Sequence, residues 1–148
     1  MNSTLKISII TVSFNSEKTI RRTIESVLSQ NYSNIEYIII DAASTDDTIN
    51  IVNSFGDKIS YFISEKDEGI YHGMNKGLNA ASGDIVGILN SDDIYIDSDV
   101  IDIVVRSFES NGCDTVFGDL VYVDRLTDKI IRYWRSGNYT YSGIRNGW

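Results

Sequence analysis

The chain has 148 residues, 42% of them hydrophobic and 23% charged, with a formal net charge of −8. A domain of that length buries roughly 68–70% of the surface its unfolded chain exposes, so its core needs no disulfide or structural metal. The acidic balance excludes phosphate-backbone binding and with it a nucleic-acid partner, and no apolar run approaches the ~20 residues of a membrane span.

Residues 7–12 are a short β-branched run of the kind that fills a buried strand. Ser16 is placed to cap the next helix, in which Ile20, Ile24, Val27 and Leu28 share one face. Residues 35–40 form a second strand that stops at Asp41. Ser44 and Asp47 make a capping pair for a helix with Ile49, Val52 and Phe55 inward. Residues 59–63 read as a third strand, followed by a polar loop over 64–69. A helix with Tyr71, Met74, Leu78 and Ala81 on one face then runs to Ser82-Gly83-Asp84. Residues 85–89 form a fourth strand ending in Asn90-Ser91-Asp92-Asp93, and Ser98 caps a helix carrying Ile101, Val104, Val105 and Phe108. Residues 115–117 read as a short strand; 120–123 and 130–134 flank a polar turn and form a hairpin. From Ser136 the pattern is that of a loop.

Strand–helix alternation implies an α/β fold: a Rossmann-like, mostly parallel sheet with helices on both faces, here with a C-terminal β-hairpin. Cys113 is the only cysteine, so no internal disulfide forms; it fits a reducing compartment, and a cytoplasmic location is the expectation.

Ligands of such sheets bind beyond the carboxyl ends of the strands. The first strand ends in Ser13-Phe14-Asn15, the second in Asp41-Ala42-Ala43-Ser44, the fourth in Asn90-Ser91-Asp92-Asp93. If the strands are neighbours, one rim gathers an aromatic ring, a single carboxylate and a carboxylate pair. That set suits a nucleotide diphosphate. Phe14 can stack on a base, Asp41 can accept from a base N–H or a ribose hydroxyl, and Asp92 and Asp93 offer hard oxygens to Mg²⁺ or Mn²⁺. Each residue has a duller reading: Asp41 as a turn former, the Asp pair as a helix cap, Phe14 as core. Neither a G-x-x-x-x-G-K-[ST] loop nor a G-x-G-x-x-G turn after the first strand is present, so a cation is the natural counter-charge.

Four segments in order resemble family-2 glycosyltransferases of the GT-A fold. They are residues 8–15, residues 38–48, residues 64–77 (from Ser64-Glu65-Lys66-Asp67 to Met74-Asn75-Lys76-Gly77), and Leu89-Asn90-Ser91-Asp92-Asp93, which matches the family's Asp-x-Asp region. The resemblance implies that Val12 and Phe14 line the base pocket, that Asn15 is among the donor-binding residues and that Asp41 binds uracil or its counterpart. Asp67 and Asn75 would help hold the nucleotide or sugar. Asp92 would face ribose and metal, and Asp93 would be the main ligand of a divalent metal, Mg²⁺ or Mn²⁺. It also implies an inverting, metal-dependent transfer from a nucleotide-sugar donor, UDP-linked by default, to a saccharide acceptor in polysaccharide biosynthesis. Peripheral membrane association of the full protein is a further implication.

The pattern departs from the family in places. Asn90 stands where many members carry the first Asp of the motif, and His72 where this branch often has Asp. Members usually continue well beyond the hairpin, into a part that carries acceptor contacts and the catalytic base. Residues 1–134 are therefore expected to be the nucleotide-sugar-binding domain and 135–148 the truncated start of an acceptor-side region, with the general base beyond residue 148. The alternative is a donor-binding fragment without transferase activity.

Overall fold

A computed structural model of the chain describes residues 5–137. They fall into two compact units, one ending at Arg106 and one beginning at Ser107. The first unit is built on four parallel strands, β1 (Ile7–Ser13), β2 (Ile35–Asp41), β3 (Tyr61–Ser64) and β4 (Ile85–Ile88), in the order β3-β2-β1-β4. The expected mostly parallel α/β sheet is thus present, and β1 and β2 are its centre. Every residue of β1 is buried, as expected of a strand covered on both faces.

Period-two alternation divides the strand residues between the faces. Ile10, Val12, Ile38 and Ile40 form one cluster, packed against Met74, Ala80 and Ala81 of the segment that includes helix α3 (Ile70–Ala80). On the other face, Thr11 Oγ1 and Tyr37 OH lie 3.1 Å apart in the interior, and burial pushes the Tyr37 phenol up beyond its ordinary range. Tyr95 also belongs to that face. Its N–H donates to Ser26 Oγ of α1 (Ile20–Leu28), and its hydroxyl lies beyond Gly87 of β4. Helix α2 (Thr48–Asn53) packs beside α1. Helix α4 is Val100–Asn111, with Ile101 and Val105 buried.

The structure corrects several local expectations. Ile20, Ile24 and Val27 are buried in α1 together with Thr23, but Leu28 is 37% exposed, because it lies at the edge of the apolar stripe. Ser16 caps nothing with its side chain; its carbonyl accepts the N–H groups of Thr19 and Ile20, and its hydroxyl is used elsewhere. Ser44 and Asp47 likewise make no capping box: the Thr48 N–H goes to Asp46 Oδ1, and Ser44 turns toward Asp41. Ser98 Oγ accepts from Asn31 Nδ2, while Asp97 Oδ1 receives the Asp99 N–H just before α4. The third strand begins at Tyr61, not residue 59, and the fourth ends at Ile88.

The face of α3 differs most. Tyr71 is 78% and Leu78 44% exposed, whereas Gly73 and Gly77 are buried. The helix approaches the sheet through its glycines, so close that a Cβ on Gly77 would overlap Ile10 Cγ2. Met74 and Ala81 of the expected face do pack on the sheet, but the closest approach is set by Gly77, which lies between them.

The amino-terminal rim of the sheet is closed by a polar lock. Glu36 Oε1 pairs with Lys6 Nζ at 2.6 Å, Ser8 Oγ donates to Oε2, and Ser82 donates through both its N–H and its hydroxyl. Burial alone would raise the Glu36 carboxyl, but the Lys6 ammonium and the serine donors outweigh it and hold the group at about 2, below its ordinary 4.5.

The second unit contains the antiparallel hairpin β5 (Leu120–Val123) and β6 (Ile130–Trp134), with a register shift between Tyr122 and Val123. Residues 115–117, expected as a strand, are not in strand conformation. Among the described residues no helix is long and apolar enough to cross a membrane.

Two outcomes follow from this packing. Gly77→Ala is expected to destabilise the chain by about 1–3 kcal/mol through overpacking against a β-branched neighbour, read as a lower midpoint in urea. Glu36 contributes stability that is present above pH 4.5 and lost as pH falls toward 2, since its carboxyl is depressed in the fold. The melting temperature of the wild type should therefore fall more steeply over that window than that of Glu36→Gln.

Candidate functional site

The chain runs outward from β1 through β2 to β3, then returns through α3 to β4 on the far side of β1. The order reverses between β1 and β4, and the crevice beyond their carboxyl ends is where such sheets take ligands. The three strand ends singled out from the sequence do lie on one rim, because β2, β1 and β4 are parallel neighbours.

Asp41 is the buried centre of that rim. Ser13 and Asp41 are register partners, as are Asp41 and Ser64, so a single row crosses three strands. Oδ1 accepts from Ser13 Oγ at 3.0 Å and Ser44 Oγ at 2.5 Å; Oδ2 accepts from Ser44 N at 2.8 Å and Ser64 Oγ at 2.6 Å. These four donors match the roughly four lone-pair sites of a carboxylate. As it stands, Asp41 holds protein groups and faces no open surface.

The loops after β1 and β2 are laced together. Asn15 N–H donates to Ser44 Oγ, and Asn15 Oδ1 accepts from Thr45 N. Ser16 N–H donates to Thr48 Oγ1 and Glu17 N–H to Asp46 Oδ2, while Asp47 N–H returns to Glu17 Oε2. Both loops contain a non-glycine residue in the left-handed region, Asn15 at φ 48° and Ala43 at φ 58°. Such conformations persist only where surrounding bonds fix them. Phe14, on the laced loop, is 60% exposed. It is an open ring at the end of a buried strand and not part of the core.

Val12 is buried beneath the rim, and a Cβ on Gly73 would stand 3.3 Å from its Cγ1 and 3.1 Å from Asp67 Oδ2. Gly73 therefore brings Asp67, whose Oδ1 also accepts the Gly69 N–H at 2.9 Å, next to the end of β1. Asn75 is exposed on α3. His72 Nδ1 accepts the Glu68 N–H at 3.0 Å, a local tie at the start of α3.

The fourth strand leads into a tight turn in which the Asp93 N–H donates to Asn90 O and Asn90 Nδ2 donates to Asp93 Oδ2, both at 3.1 Å. Ser91 joins this turn to the rest of the rim: its Oγ lies 2.8 Å from Ser16 Oγ, and its carbonyl accepts from Thr23 Oγ1 at 3.0 Å. Asp92 and Asp93 are exposed. Asn90 Oδ1 is buried and meets no hydrogen-bond donor. An acceptor so placed costs about 1–3 kcal/mol unless something else satisfies it.

The turn therefore offers two exposed carboxylates, both hard donors. Among the described residues no group of three or more His, Cys, Asp or Glu is placed to hold a metal by itself. The donor set fits Mg²⁺ or Mn²⁺, which use one or two carboxylates and complete their shell with water and substrate phosphates.

The sequence places Ser13 on the rim, but its bond to Asp41 and that of Ser64 were not anticipated. Their signal in the sequence is a serine closing each of the strands that flank Asp41. In the second unit, Asp119 and Asp124 serve the hairpin: donors from Ser136 hold the first below the usual carboxylate range, and Thr127 does the same for the second.

The glycosyl transferase family 2 model matches residues 8–147. A Mycobacterium tuberculosis protein named as an uncharacterized glycosyltransferase is 37% identical over 113 residues, covering 76% of this chain and 43% of that one. The crystal structure of S. aureus TarS in complex with UDP-GlcNAc superposes with a TM-score of 0.67 at 26% identity, covering 73% of this chain and 32% of that one. Glucosyl-3-phosphoglycerate synthase from M. tuberculosis, in complex with Mn²⁺, UDP and glucosyl-3-phosphoglycerate, gives 0.60 at 26% identity over 72% of this chain and 40% of that one. The chain thus spans less than half the length of these relatives. Buried strands, a laced rim and the acidic turn at the β1/β4 reversal agree with the match along the sequence, and the chain belongs to glycosyl transferase family 2.

Proposed function

We propose that residues 1–134 hold a nucleotide-sugar donor, UDP-linked, for an inverting transfer to a saccharide acceptor, and that 135–148 open an acceptor-side region. One observation carries the reading: the 2.8 Å contact between Ser16 and Ser91 hydroxyls fastens the loop bearing the open Phe14 ring to the turn bearing Asp92 and Asp93. In this reading the aromatic ring and the carboxylate pair serve base and diphosphate from two linked loops at the strand reversal. The UDP-sugar and the Mn²⁺–UDP contents of the two neighbouring structures support it.

In this reading Phe14 stacks on the base over Val12 and Asn15, and Asp67 and Asn75 face the ribose or sugar. Asp41 meets the base or ribose by exchanging one serine donor for the ligand's own N–H or O–H. Asp93 and Asp92 hold the divalent metal, which supplies charge neutralisation to the leaving diphosphate. The acceptor hydroxyl, its proton taken by a general base outside residues 1–134, attacks the anomeric carbon from the face opposite the diphosphate. The acceptor is a growing surface or exported polysaccharide, and the site operates in the cytoplasm.

Calorimetric titration with UDP, first with Mn²⁺ and then with EDTA, tests the reading. Metal-dependent binding is expected, and an absence of binding in both conditions would overturn it. Asp93→Ala should abolish the metal-dependent part while leaving thermal unfolding unchanged. Asp41→Ala should weaken UDP binding about tenfold or more with or without metal, and should also lower stability by about 2–3 kcal/mol as serine donors lose their buried acceptor.

A further inference from the structure

His72 is the one histidine of the chain, and its ring is exposed at the start of α3. Nδ1 accepts the Glu68 N–H at 3.0 Å, while the next N–H along, that of Gly69, goes to Asp67 Oδ1 at 2.9 Å. The ring and the carboxylate therefore grip the same short step of backbone, which Gly69 turns at φ 116°, a conformation that favours glycine. Gly73, the neighbour of His72, brings Asp67 Oδ2 and Val12 together at the end of β1. Ser64 is level with Asp41 and Ser13 in the register, so the loop over 65–69 and the first turn of α3 stand beyond the carboxyl ends of the strands. Helical side chains lean toward the helix N-terminus, and the bond to Glu68 shows His72 leaning that way, over the rim loop.

Tying back a backbone N–H from the third position of a helix needs only an acceptor, and Glu or Gln is the usual residue for it. What imidazole adds is its second nitrogen. With Nδ1 accepting, the proton of the neutral ring is on Nε2, so the exposed edge of His72 is an N–H donor held in one orientation. The carboxylates of the rim, Asp41, Asp67, Asp92 and Asp93, accept and cannot donate. Lys76, one turn further along α3, is taken up by Glu65 at 2.9 Å and by the Lys66 carbonyl at 3.1 Å. A hexose carries oxygens that only accept, its ring oxygen and any acetamido carbonyl, and these need a donor from the protein. We propose that His72 is a specificity-determining residue for the donor sugar: Nε2–H donates to an acceptor oxygen of the hexose, beside Asp67, which takes hydroxyl protons. The inference rests on the donor-site reading above and adds a residue that recognises the sugar and not the nucleotide.

The test is calorimetric titration of the 148-residue chain with UDP, UDP-glucose and UDP-N-acetylglucosamine, each with Mn²⁺. The quantity read is the affinity for each UDP-sugar divided by the affinity for UDP. His72→Glu keeps an acceptor for the Glu68 N–H and lacks the donor, so that ratio should fall about fivefold for at least one sugar, the worth of a single hydrogen bond. The added charge acts on UDP and UDP-sugar alike and cancels in the ratio. His72→Gln offers both an acceptor and an N–H and should restore most of the ratio. A role confined to capping α3 moves thermal unfolding and leaves the ratio unchanged. Should His72→Glu fail to fold by circular dichroism, His72→Ala is read in its place. A folded His72→Glu or His72→Ala with the wild-type ratio for both sugars overturns the proposal. So does a His72→Gln that falls as far as His72→Glu, or a wild-type chain that binds UDP but neither UDP-sugar. Wild-type chain that binds none of the three overturns the donor-site reading instead, and the role of His72 falls with it.

Discussion

The rim depends on burying a carboxylate. Asp41 is enclosed between β1 and β3, and an ionised group is tolerated there only if its lone pairs are met. Four donors meet them, and they come from both neighbouring strands and from the loop that follows. The row Ser13–Asp41–Ser64 therefore forces three strands to end level. From that level Ser44 passes the constraint on, taking the Asn15 N–H, and Asn15 takes the Thr45 N–H in turn. Through these bonds the loop that carries the open ring of Phe14 is tied to the buried carboxylate.

The two ends of the sheet use acids in opposite ways. At the amino rim Glu36 is consumed by Lys6, Ser8 and Ser82, and this ties β1 and β2 to the connection between α3 and β4. At the carboxyl rim Asp41 is consumed in the same manner, but Asp92 and Asp93 stay exposed. A sheet pinned at both ends can carry left-handed residues such as Asn15 and Ala43 in its loops, because the hydrogen bonds around them repay a cost of order 1 kcal/mol each. Rigidity is concentrated in buried or half-buried acids, and the Asp92–Asp93 pair stays at the surface.

The sheet was legible because β-branched runs such as residues 7–12 and 35–40 admit no other reading at their length. The rim was legible because polar clusters follow those runs at Asp41 and Asn90. What escaped the sequence depends on contacts between distant residues. Tyr71 and Leu78 have the spacing of a buried face, but α3 packs through Gly73 and Gly77, since only a backbone without Cβ comes close enough to Ile10 and Val12. Ser16, Ser44 and Ser98 sit where caps belong, yet partners brought by the fold, Ser91, Asp41 and Asn31, compete for their hydroxyls. Residues 115–117 have strand composition but are not in strand conformation. A phenylalanine after a strand reads as core by frequency; only the topology shows that this one lies beyond the last buried position.

Net charge bears on why the proposed donor site would need a cation at all. A chain with 21 acids and 13 Lys and Arg repels a diphosphate at distances below the screening length, roughly 8–10 Å in physiological salt. The rim adds to that repulsion locally, through two carboxylates beside the crevice. No glycine-rich loop supplies a cradle of N–H groups after β1, where the loop's N–H groups go instead to Ser44, Thr48 and Asp46. The same acids that would exclude the diphosphate become the means of binding it once a divalent cation stands between them, because the sign of the local field then reverses. In the proposed function the acidity of the turn is thus a dependence on metal built into the electrostatics.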